Sequence, residues 1–212
     1  MEKTLIYVHD PMCSWCWGFE PVRKQLFNAL DKSITIERFV GGLAADSNEP
    51  MPAQMQTMLK NTWQKIEQSI PGTAFNYNFW TQCQPRRSTY PSNRAVIAAR
   101  LQNERFDTLI THRIQQAYYT EAKNPSDDDV LIELVRDVGL NVEKFTEDLN
   151  SETVHALFEK ELKYTRKLGL NSFPSLAFQV KNNVYSIALD YNNMKNMLDQ
   201  IHQIEAINNE EF

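Results

Sequence analysis

Cys13-Ser14-Trp15-Cys16 is the stretch of this chain whose residue types and spacing could do chemistry. Two cysteines three positions apart in a helix lie on one face, so their sulfurs can join without bending the chain. Disulfides are attacked by a thiolate, which is favoured where unpaired backbone N–H groups and the positive end of a helix point at the sulfur. Leu5 to His9 is a short apolar run of β character, Asp10-Pro11 breaks it, and from Trp17 to Leu30 apolar residues recur at helical spacing. Strand, turn and helix thus follow in the order that sets Cys13 at the helix start, near solvent, as the nucleophile. Cys16, one turn in, is then the resolving thiol. Pro21 removes an internal hydrogen bond and is expected to kink this helix just past the pair. A zinc site would need two further ligands at similarly close spacing. Cys83 stands alone and His9, His112, His155 and His202 are scattered, so no metal is expected.

The residues around the pair carry their own expectations. Asp10, a short acid before a proline, can accept a backbone N–H and set the turn into the helix, or relay protons to Cys16; the turn is the favoured reading. Trp15 and Trp17 either pack or form an apolar rim for a substrate, and Trp15, between the cysteines, is expected to be exposed. Ser14-Trp15 supplies neither a His to place a cation between the thiols nor a Pro to stiffen the loop. Neither a strongly oxidising nor a strongly reducing pair is signalled. Cys83, in polar surroundings before a helix, reads as incidental, although Arg86 and Arg87 could make it reactive.

These residues need a scaffold, and 212 residues with 42% hydrophobic content can bury a core for one domain, or one domain carrying an insertion. Three cysteines make no disulfide framework. Met1-Glu2-Lys3-Thr4 leads straight into the first strand, so a cytoplasmic location is expected. No apolar run approaches membrane-spanning length, and a formal net charge of −5 argues against nucleic acid as a partner. Ser33 to Val40 alternates as a second strand, joined through the first helix in a β-α-β unit with parallel strands, and Gly41-Gly42 ends it. Helical patterns then cover about 52–70, 91–104, 106–121, 127–138, 141–149 and 152–168. Ser175 to Val180, a Lys181-Asn182-Asn183 turn and Val184 to Leu189 read as a hairpin, and a last helix runs from Asn192 to about Ile207, with a frayed tail from Asn208 to Phe212. The expected class is α/β: a sheet domain split into 1–45 and 170–212 by a helical insertion over 46–169.

With this organisation, the segment Asp10-Pro11-Met12-Cys13-Ser14-Trp15-Cys16-Trp17-Gly18-Phe19 resembles the active site of the predicted cytoplasmic protein-disulfide isomerases in the DsbA-like branch of the thioredoxin superfamily. Gly41-Gly42-Leu43, Arg94-Ala95-Val96 with Ala98-Ala99-Arg100, and Gly169-Leu170-Asn171-Ser172-Phe173-Pro174-Ser175 match further motifs of that branch. The resemblance implies a thioredoxin-like fold with a large helical insertion. It also implies that Phe173-Pro174 is a cis-proline loop facing the cysteines, where the Phe173 backbone pairs with an extended substrate; without it, Pro174 would read as an ordinary strand-entry proline. The implied activity is thiol-disulfide reduction or isomerisation of protein or peptide disulfides. No bound organic cofactor is expected, and electrons would come from glutathione or another thiol reductant. Two alternatives stand beside it. One is a glutathione-dependent isomerase or transferase of the kappa-class type acting on a small molecule, against which the second cysteine argues. The other is a non-catalytic binding module that uses the groove alone.

Overall fold

The computed structural model describes residues 2–209. Its centre is β1 (Lys3–His9), buried from Thr4 onward because it lies between two other strands. β2 (Ile34–Val40) pairs with it in parallel, Lys3 opposite Ile34 and His9 opposite Val40. β3 (Ser175–Val180) pairs on the other side antiparallel, with Leu5 opposite Phe178, and β4 (Asn183–Ile187) completes the order β2-β1-β3-β4. A parallel pair needs a crossover; here it is α1 (Ser14–Ala29), whose Phe19, Val22 and Leu26 share a core with Leu5, Tyr7, Leu176 and Phe178 of the sheet. α1 is continuous from Ser14 to Ala29 with Pro21 inside it.

Seven helices stand between β2 and β3: α2 (Ala53–Ser69), α3 (Phe79–Gln82), α4 (Tyr90–Gln102), α5 (Phe106–Tyr119), α6 (Asp128–Asp137), α7 (Val142–Leu149) and α8 (Glu152–Lys167). They bury two cores. One is aliphatic, from Val96, Ile110, Leu131 and Leu162 among others; the second is aromatic, from Trp63, Phe75, Phe79, Trp80, Tyr118 and Tyr119, and reaches Met12 and the half-buried Trp15 and Trp17 of the cysteine segment. α8 is stopped just past its C-cap Leu168 by Gly169, whose φ of +75° suits a residue without Cβ; the bonds Gly169 N–H to Arg166 O and Leu170 N–H to Thr165 O, both 3.0 Å, close the helix end. That stop turns the chain within five residues into the Phe173-Pro174 segment.

Several boundaries differ from the sequence reading, among them those of the hairpin and of the last helix. The hairpin loop is Lys181-Asn182 alone, with Lys181 at φ +54°, because Asn183 pairs with Val180 as the first residue of β4. β4 stops at Ile187, and the last helix, α9 (Met194–Asn209), starts two residues late because Asp190 Oδ1 accepts the N–H groups of Asn192 and Asn193 in a turn. α3 was not anticipated. Asn208 and Asn209, expected in a frayed tail, belong to α9; the rest of that tail, 210–212, lies outside the described residues. Among the described residues no helix is long and apolar enough to cross a membrane.

Candidate functional site

Cys13 is the N-cap of α1, with extended backbone (φ −84°, ψ 115°). Its N–H donates to Asp10 O at 3.0 Å and its C=O accepts Trp17 N–H at 3.1 Å, so the residue closes the turn and opens the helix. No side chain caps this helix end, and the first turn holds no acid. The sulfur is therefore not spent on capping; the thiol donates to the Phe173 carbonyl at 3.2 Å, and the Phe173–Pro174 bond is cis. This contact corrects one expectation. Cys13 is not open to solvent but only 6% exposed, because the Phe173 segment lies across it.

Cys16 is fully buried behind it, and both are free thiols. Burial, then a hydrogen bond with the Cys13 sulfur, pushes the Cys16 thiol well above its ordinary range, while the Asp10 backbone N–H acts in the other direction. The inner thiol is thus held in its protonated form.

Asp10 is completely buried, and its carboxylate meets four donors: Met12 N–H on Oδ1 at 2.8 Å, and on Oδ2 Leu43 N–H at 2.8 Å, Thr89 Oγ1 at 2.7 Å and Asn93 Nδ2 at 2.8 Å. Burial nonetheless raises its pKa, more than the four bonds lower it. The turn-setting contact to Met12 is present, and the other three tie the cysteine turn to the end of β2 and to α4. Thr89 and Asn93 were missed by the sequence reading. The signal for Asn93 was a polar pair, Ser92-Asn93, two residues ahead of the apolar run Ala95-Val96-Ile97-Ala98-Ala99, and both members of the pair are fully buried.

Trp15 is half-buried where exposure was expected, since Tyr191 from the loop before α9 meets its ring edge-on at 5.2 Å. Tyr191 also packs on Phe19 at 5.4 Å, and burial first, then the two nearby sulfurs, raises its pKa. Nothing in the sequence marked it. Trp17 stacks on Tyr119 at 5.8 Å and donates Nε1–H to Ala74 O at 3.2 Å, which makes it a packing residue between α1 and α5. Ser14 is half-buried at the first helical position. Cys83 lies apart, its thiol donating to Ala122 O at 3.0 Å and raised by burial and by Asp127. Arg86 does not activate it, being held by Asp127 at 2.6 Å and Ser126 O at 2.8 Å.

An uncapped helix end, an outer thiol on a loop carbonyl and an inner protonated thiol are parts that thiol-disulfide exchange requires. Known proteins share the fold that carries this arrangement. A Nitrosomonas europaea structure provisionally named a protein disulfide isomerase superposes with a TM-score of 0.83 at 23% identity, over 96% of this chain and 98% of that one. The cytosolic disulfide reductase DsbM from Pseudomonas aeruginosa, solved also with GSH, gives 0.70 at 24% identity over 98% of both chains. At these identities the likeness speaks for the fold. In sequence, the ClpXP adapter protein SpxH of Bacillus subtilis is 28% identical over 170 residues, 80% of this chain and 56% of its own length, so the chain spans about half of the curated relatives it matches. The thioredoxin family model matches residues 6–200, and the chain belongs to that family, in the DsbA-like form with helices between β2 and β3.

Proposed function

We propose that the chain is a thiol-disulfide oxidoreductase that reduces or rearranges disulfides of proteins or peptides through Cys13 and Cys16. The observation that carries this reading is the Cys13 sulfur, 3.2 Å from the Phe173 carbonyl at a helix end that no side chain caps, with Cys16 buried behind it. The Cys13 thiolate attacks one sulfur of the substrate disulfide, and the second leaves as a thiolate. Cys16 then gives up its proton, to that departing thiolate or to solvent, and attacks Cys13. The mixed disulfide breaks, the second substrate thiol leaves, and a Cys13–Cys16 disulfide holds the two electrons' worth of oxidation. A thiol reductant restores the pair, and the GSH-bound DsbM neighbour supports glutathione in that role. Trp15 and the Phe173-Pro174 segment form the substrate-facing rim, and Asp10 holds the turn. The cytosolic name of DsbM supports a cytoplasmic location.

The test is trapping. Cys16→Ser should accumulate a mixed disulfide at Cys13, seen by intact mass and released by reductant, and Cys13→Ser should abolish reduction of a model protein disulfide. Undiminished turnover of a small electrophile by Cys16→Ser would favour the glutathione-dependent transferase reading instead. A second reading, a binding module without catalysis, is favoured by the adapter name that the SpxH relatives bear. It would be upheld if wild type neither turned over disulfides nor formed the mixed species.

A further inference from the structure

We propose that Gly41 is a positioning residue of the redox site: it supplies the bare backbone against which the Phe173 ring lies, and so fixes where the Phe173 carbonyl meets Cys13. The proposal rests on reading Cys13 as the attacking thiol. Gly41 needs no glycine for its own conformation, unlike its neighbour Gly42 at φ +64°. What it needs is room. A Cβ built on Gly41 would overlap Cε1 and Cζ of Phe173 and lie 2.5 Å from Cδ1, closer than side chains ever pack, so any other residue there must displace either the ring or the backbone.

The backbone is the member that cannot yield. Gly41 N–H donates to His9 O at 2.7 Å, extending the β1–β2 ladder by one residue, and Leu43 N–H donates to Asp10 Oδ2 at 2.8 Å. Between them Gly42 is wedged, for a Cβ there would meet Leu162 Cδ2 at 2.8 Å and Tyr90 Cε1 at 2.9 Å. The end of β2 is therefore pinned to the cysteine turn on one side and to α4 and α8 on the other. The half-buried Phe173 ring borders a 140 Å³ cleft that Gly41, Leu43, Arg166 and Asn171 also line, and this gives it room to move. A ring that cannot clear the new Cβ by rotating about Cα–Cβ and Cβ–Cγ alone must carry the Phe173 Cα with it, and the carbonyl that accepts the Cys13 thiol is bonded to that Cα. Glycine at 41 thus acts through Phe173 without touching sulfur or substrate.

The test is a cycle of Gly41→Ala, Phe173→Ala and the double variant. Since misplacement by about 1 Å can cost about a hundredfold, Gly41→Ala should lower kcat/KM for disulfide reduction by about tenfold to a hundredfold. The same variant should speed alkylation of Cys13, which loses its cover. In the Phe173→Ala background no ring remains to collide, so the double variant should match Phe173→Ala in both readouts. Losses that multiply would overturn the proposal, because glycine would then matter for some reason other than the ring. Should Gly41→Ala fail to fold, the comparison of the double variant with Phe173→Ala still decides. Should wild type reduce no disulfide, the proposed function fails, while the alkylation rates judge Gly41 on their own.

Discussion

Replacing Asp10 by alanine is the sharpest test of how the cysteine turn is held. The carboxylate is wholly buried and serves four donors, but they would not suffer equally. Thr89 Oγ1 can turn to Ala44 O, already 3.4 Å away, and Asn93 Nδ2 already reaches Thr89 O at 2.7 Å. The N–H groups of Met12 and Leu43 have no such alternative, and each buried donor left without an acceptor costs about 1–3 kcal/mol. Against that, burying a carboxylate is itself unfavourable, as its raised pKa records, so its removal returns part of the loss. The net expectation for Asp10→Ala is a loss of about 2–4 kcal/mol in urea unfolding at neutral pH. The sign of the accompanying pH effect follows from linkage. The folded carboxyl binds its proton more tightly than the unfolded one, so this group's contribution is full below the ordinary carboxyl range and is lost as pH rises through the folded value; Asp10→Ala removes that step. Coupling to Thr89→Ala should be about 0.5–3 kcal/mol, since the two side chains share one bond. A loss below about 1 kcal/mol would refute the reasoning, because the two N–H groups would then have found water or each other's neighbours.

The fold was legible where burial imposes a period. β1, β2 and β3 read as strands because their faces are set by sheet packing, and α2 and α5 to α8 as helices because their apolar residues recur at helical spacing; α4 is buried on all sides from Pro91 to Ala99. α3 escaped because four residues show no period. The hairpin slipped by one residue for a chemical reason: the left-handed position falls on Lys181, whereas turn preferences assign it to asparagine, of which two follow. The thiols themselves were plain from spacing, yet their surroundings were not. Cys13 is covered by Phe173, 160 residues away, and the acceptor Asp10 finds its partners 33, 79 and 83 residues along the chain. A local sequence can say that an acid before a proline will accept a hydrogen bond, but which donors arrive is decided by the packing of the helices against the sheet. The same holds for Trp15, whose exposure was overestimated because Tyr191 arrives only after the last strand.

Equilibration in glutathione or dithiothreitol buffers should give a reduction potential inside the cytosolic thiol range of roughly −220 to −320 mV, and a value near about −120 mV would point to a disulfide donor. Cys83→Ser should leave disulfide turnover unchanged, since its thiol is occupied by Ala122 O; a drop in rate would give it a part in the chemistry. Trp63→Ala should cost about 3–5 kcal/mol in chemical denaturation. Its ring is 1% exposed and lies within 4.8 Å of Phe75 and 4.9 Å of Trp80, so a smaller loss would mean that the aromatic core closes over the gap. His9 should contribute to the loss of stability in acid. It is fully buried against Tyr7, and Arg38, which can only donate, faces its Nε2 at 3.4 Å, leaving the proton on Nδ1, where no partner waits. Burial first, then the charges of Arg38, Arg23 and Arg100, holds its pKa well below the ordinary value. The unfolded chain therefore takes up a proton near pH 6.5 that the folded chain refuses, and stability should fall by about 1.4 kcal/mol per pH unit below that point. Carboxylates and the half-buried His112 titrate in the same experiment, so the quantity to measure is the difference between wild type and His9→Gln, whose amide oxygen can still accept from Arg38. That difference should shift steadily in the variant's favour from about pH 6.5 to pH 5; parallel curves would mean that His9 accepts its proton inside the fold.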